Sequence, residues 1–173
     1  MTQIPIDKPK FVFAGGCFWC TESDFRRLDG VLFTRVGYTG GTEQNPTYEL
    51  VSSKKTGHAE ANEIYYDPET ITYEQLLEHF LTKAHDPTQL NRQGPDIGPQ
   101  YRSAIFYANE AEKEMAQKAI DRVSRAGIWA APIVTTLEPL GTFWPAEDYH
   151  QQYYEKYEKK YGTPHINEIL KGR

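Results

Sequence analysis

The chain has 173 residues, 39% of them hydrophobic and 13% aromatic, with a net charge of −5. That length fits one domain over residues 1–173 that can bury a core, and the composition excludes a disordered chain. The excess of 24 acidic over 19 basic side chains argues against a nucleic-acid partner, and no apolar run approaches the ~20 residues of a membrane span.

The opening segment MTQIPIDKPKFVFAGG has no signal-peptide pattern, its apolar piece being only Phe11 to Ala14, so a cytoplasmic location is expected. That apolar piece reads as a buried strand ending at the Gly15-Gly16 turn. Residues 17–28 follow as a helix with Phe18, Phe25 and Leu28 on one side and Gly30 as its stop. Val31 to Tyr38 is strand-like, and TGGTEQNPTYEL is a loop. GHAEANEIYYDP gives a second strand whose alternation places Glu60, Asn62, Ile64 and Tyr66 on one face. Thr72 with Gln75 forms a capping box for a helix carrying Leu76, Leu77, Phe80, Leu81 and Ala84.

Residues 85–100 hold turn-formers without a period and read as a long loop, a kind of segment that is often functional. Ser103 to Ala108 is a strand. Asn109 caps a helix with Met115, Ala119 and Val123 on its face and Gly127 after it. Ile133 to Leu137 is a further strand. A last helix starts at Pro145, ends at Gly162, and carries a Tyr149, Tyr153, Tyr157 stripe that would cover the core. This order predicts an α/β (α+β) two-layer sandwich: a ferredoxin-like split βαβ core with long loops and a C-terminal helix. No heptad pattern is present, and a monomer is expected.

Both cysteines, Cys17 and Cys20, lie in AGGCFWCTESDF at the start of the first helix. Only the thiolate of a cysteine is a good nucleophile, and a free thiol with a pKa of ~8.5 is a few per cent ionised at pH 7. A helix N-terminus favours negative charge, which makes Cys17 the candidate reactive thiolate. Cys20 is one turn on, where Cα atoms are ~5 Å apart, inside the ~4.4–6.8 Å that a disulfide accepts. So short a loop gains little entropic stabilisation from closure, which favours a redox role over a structural one. Three other readings fit the motif alone: two buried cysteines acting as small hydrophobes, a zinc site, and a thioredoxin-type dithiol oxidoreductase. Zinc is the weakest, because His58, His79, His85, His150 and His165 show no pair at ligand spacing.

The motif has company. GGCFWC, GYTGG, NPTYELV, GHAEA, YDP, HDPTQLNRQGPDIGPQYRSAIF and FWPAEDYHQQYY follow one another over residues 10 to about 157. In order and approximate spacing this string resembles the A-type peptide methionine sulfoxide reductases, in the GCFWC form. The resemblance implies reduction of methionine S-sulfoxide, free or in proteins, with antioxidant protein repair as the role. It implies Cys17 as the nucleophile and Glu60 as the proton donor. Phe18 and Trp19 would hold the substrate methyl group, Tyr48 and Tyr101 would hydrogen-bond the oxygen, and Asp96 would line the same site. His58 and His85 match family positions without an assigned step.

Many members carry GCFWG and recycling cysteines in a C-terminal tail. Here Cys20 replaces that glycine and the tail YGTPHINEILKGR has no cysteine, so the resemblance implies Cys20 as the resolving thiol. Thioredoxin is the implied reductant, and no cofactor or metal is implied. The chemistry agrees: a sulfoxide oxygen leaves only when protonated, and a carboxyl in an apolar, tyrosine-rich pocket keeps its proton. The rivals are a general C-x-x-C dithiol oxidoreductase and a non-catalytic methionine sulfoxide-binding or redox-sensing module.

Overall fold

The computed structural model describes residues 3–170. In chain order it runs β1 (Lys10–Gly15), α1 (Phe18–Arg26), β2 (Val31–Thr39), α2 (Tyr48–Ser52), β3 (Ala59–Tyr66) and α3 (Tyr73–His79). Two short strands follow, β4 (Arg92–Gln93) and β5 (Asp96–Ile97), then β6 (Ser103–Tyr107) and α4 (Glu110–Arg125). The C-terminal part holds β7 (Thr136–Pro139), β8 (Trp144–Pro145), α5 (Tyr153–Tyr161) and α6 (Ile166–Leu170).

The main sheet has the order β7-β6-β1-β3-β2-β8. Its middle four strands, β6-β1-β3-β2, are antiparallel to their neighbours. The β1-α1-β2 unit leaves a gap that β3 fills, and the β3-α3-β6 unit leaves a gap that β1 fills. This is the split βαβ, ferredoxin-like arrangement that the element order predicts. β7 extends one edge in parallel with β6, and β8 adds an antiparallel pair to β2 at the other.

Side-chain alternation divides the sheet. One face carries Phe11, Phe13, Ile64, Tyr66 and Ile105, packed under α1, α3 and α4. Its centre is aromatic, with Phe13 and Phe25 ring centroids 4.4 Å apart and Phe13 and Phe80 5.0 Å apart. Burying each such ring stabilises the fold by roughly 1.5–3 kcal/mol, which makes this face the main source of stability. The other face is built of Val12, Ala14, Ala59, Ala61, Ala104 and Phe106, and Leu140 and Phe143 lie across it. Glu63 is buried on that side and is held by Lys10 at 3.2 Å and Arg35 at 2.7 Å. Among the described residues no helix is long and apolar enough to cross a membrane.

Several elements differ from the sequence reading. α3 gives way at Phe80–Ala84 to one wider π-type turn. The loop before β3 contains α2, and the 85–100 segment is folded, with a β4–β5 hairpin and a short 3-10 turn at Pro99–Tyr101. On α4 the buried residues are Ala116, Ala119 and Val123, while Met115 is 37% exposed. Alanines let the helix axis come close to the sheet, so the longer side chain is left at the rim. The C-terminal helix starts only at Tyr153, because Pro145 is spent in β8 and Gln152 takes a left-handed conformation (φ 48°). The tyrosine stripe therefore does not cover the core: Tyr149 is 56% exposed, and Tyr154 is the buried one at 3%. α6 returns to α1, where buried Glu168 accepts from Ser23 and Arg27, both at 3.1 Å.

The capping box forms as read. Gln75 N–H donates to Thr72 Oγ1 at 3.1 Å, and Thr72 N–H donates to Gln75 Oε1 at 2.9 Å. Thr72 is exposed, so its replacement by Ala opens no cavity and isolates the cap. Thr72→Ala is expected to lower the unfolding free energy by about 1 kcal/mol, read from a urea midpoint that drops with an unchanged slope.

Candidate active site

Four segments meet at the N-terminus of α1. β1 ends at Gly15, and Gly16 turns the chain with φ +92°. A Cβ there would stand 2.7 Å from the Gln93 side chain, so the β4–β5 hairpin can close onto this turn only over a glycine. Cys17 is the N-cap of α1, and its carbonyl accepts from Cys20 N–H at 3.1 Å.

β3 brings the acid. Its register with β2 sets Tyr38 opposite Glu60 and Val36 opposite Asn62, on the face beneath α1. Glu60 is 3% exposed, and its Oε1 accepts the Phe18 N–H at 3.2 Å. One of the unpaired donors of the helix N-terminus is thus taken by the carboxyl next to Cys17. Burial raises the Glu60 pKa to about 8; the Phe18 N–H opposes the rise, and the charges of Asp96 and Cys20 add to it. Glu60 therefore carries its proton at neutral pH.

Cys17 is not the ionised thiol that its helix position suggests. Its pKa lies well above the ordinary value, first through the hydrogen bond with Cys20, then through burial and the charges of Cys20 and Glu60. The Cys20 backbone N–H acts the other way and lowers it, without offsetting the rest. Both cysteines are reduced, Cys17 half-buried and Cys20 4% exposed. They line a cavity of about 300 Å³ together with Gly15, Lys83, His85, Gln93 and Pro95.

The remaining residues singled out in the sequence gather round this pair. Tyr48 opens α2, Tyr101 ends the 3-10 turn, and Asp96 sits in β5. The phenols of Tyr48 and Tyr101 are both raised, first by burial and then by the charge of Glu60, with Cys17 and Asp96 contributing. These shifts place the groups within electrostatic reach of one another. Phe18 is 1% exposed and packs on the rings of Tyr38 (5.8 Å) and His150 (5.2 Å). Trp19 is half-buried and stacks on Tyr153 at 4.1 Å.

His58 and His85 are braces. His58 Nδ1 accepts from Gly41 N–H at 3.0 Å and its Nε2 donates to the Glu43 carbonyl at 2.7 Å, pinning the GYTGG loop. A Cβ on Gly41 would meet the Thr56 carbonyl at 2.4 Å, so the loop fits only with glycine there. His85 donates to the Phe80 carbonyl at 2.9 Å and bonds Ser103 Oγ at 2.7 Å; burial lowers its pKa to about 4.

Sequence reasoning missed the second layer. Trp19 Nε1–H donates to His150 Nδ1 at 3.0 Å, and the His150 ring lies 4.6 Å from that of Tyr48. Glu147 accepts from Tyr38 Oη at 2.9 Å and from Tyr48 N–H at 3.1 Å. Buried Glu22 accepts from Thr34 Oγ1 and Gln152 N–H, both at 2.8 Å. The FWPAEDYHQQYY string was the available signal, since Glu147, His150 and Gln152 all lie within it.

The raised pKa of Glu60 has a signed consequence. Between its ordinary value of 4.5 and about 8 the folded chain keeps a proton that the unfolded chain has released. Stability therefore falls as pH rises through that window and levels off above it. From about pH 5 to about pH 7.5, the urea midpoint of the native chain should fall relative to that of Glu60→Gln. Parallel curves for the two proteins would show that Glu60 ionises normally.

Known proteins match this arrangement. The peptide methionine sulfoxide reductase family matches residues 9–172. The peptide methionine sulfoxide reductase MsrA of Geobacter sulfurreducens is 52% identical over 147 residues, 85% of this chain and 90% of that protein. Mxr1 from Saccharomyces cerevisiae in reduced form superposes with a TM-score of 0.82 at 35% identity, covering 90% of this chain and 88% of Mxr1. Mxr1 in complex with Trx2 gives a TM-score of 0.60 at 24% identity over 88% of this chain and 89% of that one, a likeness of fold. Matched over nearly its whole length, the chain belongs to the peptide methionine sulfoxide reductase family.

Proposed function

We propose that this reductase removes oxygen from methionine S-sulfoxide, free or in proteins, by a two-thiol cycle on Cys17 and Cys20 with Glu60 as the acid. The substrate methyl group rests against Phe18 and Trp19. Its oxygen is held by Tyr48, Tyr101 and the Glu60 carboxyl, with Asp96 closing the site. The supporting observation is the Glu60 Oε1 to Phe18 N–H hydrogen bond of 3.2 Å, which holds a protonated carboxyl beside Cys17.

The proton count follows from that pairing. Cys17 Sγ attacks the substrate sulfur while the Glu60 proton passes to the oxygen, and the Cys17 proton returns to Glu60. A second proton from Glu60 lets the oxygen leave the substrate sulfur as water, so that Cys17 Sγ is bonded to a sulfonium. Water then attacks Cys17 Sγ, and the S–S bond breaks with its electron pair going to the methionine sulfur. Glu60 takes up the water proton, and Cys17 is left as a sulfenic acid. Starting as a thiol thus costs Cys17 nothing in the overall balance, because its proton replaces the one that Glu60 gives up. The Cys20 sulfur then attacks Cys17, the hydroxyl leaves with the Cys20 proton as water, and a Cys17–Cys20 disulfide forms. An external dithiol of the thioredoxin class reduces it by exchange and is itself oxidised.

Yeast Mxr1 has been solved with Trx2, which supports that choice of reductant. A reducing compartment, the cytoplasm, suits such recycling. One copy of the chain carries every group that the cycle uses, so we assign a monomer. A sulfoxide oxygen needs a proton in order to leave, and a pure binder does not need thiol, acid and resolving thiol together, so the set favours turnover.

Methionine release from a sulfoxide peptide, with thioredoxin as reductant, tests this reading. Cys17→Ser should release none. Cys20→Ser should release about one methionine per chain and then stop. Normal thioredoxin-driven turnover by Cys20→Ser would remove Cys20 from the resolving role.

A further inference from the structure

A disulfide between Cys17 and Cys20 offers an incoming thiolate two sulfurs, and the cycle proposed above, on which this inference rests, does not say which one is struck. The two sulfurs differ in what surrounds them. Cys20 Sγ lies 2.9 Å from the Tyr154 hydroxyl, a contact made by buried groups. Tyr154 comes from α5, is 3% exposed, and its ring stacks on His165 with centroids 5.1 Å apart and planes 18° from parallel. Its hydroxyl is therefore fixed on Cys20. With a free thiol either atom can donate. Once Cys20 is a thiolate or a disulfide sulfur, only the phenol has a proton to give. Burial and the Cys20 and Cys17 charges hold the phenol far above its ordinary pKa, so that proton stays in place.

Cys17 has the opposite setting. It is half-buried where Cys20 is 4% exposed, so it is the more reachable sulfur. Its pKa is raised well above the ordinary value, first by the hydrogen bond with Cys20 and then by burial, which makes it the poorer leaving thiolate. The leaving thiolate in an exchange departs faster the lower its pKa, and a charge-assisted hydrogen bond from a phenol lowers it.

We infer that the Tyr154 hydroxyl polarises the Cys17–Cys20 disulfide, so that the reductant's thiolate bonds to Cys17 and Cys20 departs as the thiolate. In that step the new bond joins the reductant sulfur to Cys17 Sγ. The Cys17–Cys20 bond breaks with its electron pair going to Cys20 Sγ, where the Tyr154 O–H receives it. The second thiol of the reductant then attacks its own sulfur in the mixed disulfide and frees Cys17; the reductant ends oxidised and both cysteines reduced. Tyr154 touches neither substrate nor reductant and is a positioning residue, acting through Cys20.

The test uses the full-length chain, oxidised to the intramolecular disulfide with diamide and then exposed briefly to a monothiol, glutathione, which can form but not resolve a mixed disulfide. Acid quenching, alkylation and peptide mapping show which cysteine carries glutathione and which was released. The expected result is glutathione on Cys17 and alkylated Cys20, by about tenfold over the reverse. Tyr154→Phe keeps the ring and removes the donor. It should shift that ratio toward parity by about threefold, because a leaving thiolate of higher pKa departs more slowly.

Glutathione mainly on Cys20 in the native protein would overturn the inference, and so would a ratio unchanged in Tyr154→Phe. Because the disulfide is made chemically, the mapping stands even if Cys20 proved not to resolve the sulfenic acid. That second failure would be seen instead as multiple turnover by Cys20→Ser.

Discussion

A carboxyl buried at the start of a helix, beside a thiol, is the constraint around which this molecule is arranged. Glu60 cannot stay charged there without solvent or a cation, and it is held by one backbone N–H, that of Phe18, at 3.2 Å. It therefore keeps a proton. That single state links the sheet to the chemistry: β3 must lie between β1 and β2, in the register that sets Glu60 opposite Tyr38, or the carboxyl faces elsewhere. A slip of one residue would present Ala59 or Ala61 to α1 and send Glu60 to the alanine face.

The C-terminal segment serves the same end from the other side of α1. His150 holds the Trp19 indole, Glu147 ties Tyr38 to the Tyr48 backbone, and Gln152 is drawn into its left-handed conformation by both oxygens of Glu22. Tyr154 and Glu168 add contacts at Cys20, Ser23 and Arg27. A helix of nine residues is marginal alone. Here its two cysteines are kept in place by polar partners spread along its whole length, which is the rigidity that a reacting pair needs.

Much of this was legible in the chain because it rests on local periods. Alternation in AEANEIYY put Glu60, Asn62, Ile64 and Tyr66 on one face, and the capping box at Thr72 follows from side-chain chemistry over four residues. The strand order followed from two crossover units in succession. What escaped the reading is set by contacts distant in sequence. The tyrosines of the last segment share a helical spacing, yet the hydrogen bonds from Gln152 to Glu22, 130 residues away, break that helix at its start. The ionisation of Cys17 escaped for the same reason: the helix end argues for a thiolate, but Cys20 and Glu60 oppose it. On α4, spacing alone could not separate Met115 from Ala116, because only the closeness of the sheet decides which of the two is buried.

The most direct test of the account is the infrared difference spectrum between the native protein and Glu60→Gln across a pH series. The account predicts a carboxylic acid C=O band in the native protein at pH 7, absent from the variant and replaced by a carboxylate band with a midpoint near 8. A carboxylate signal from Glu60 already present at pH 6 would contradict it.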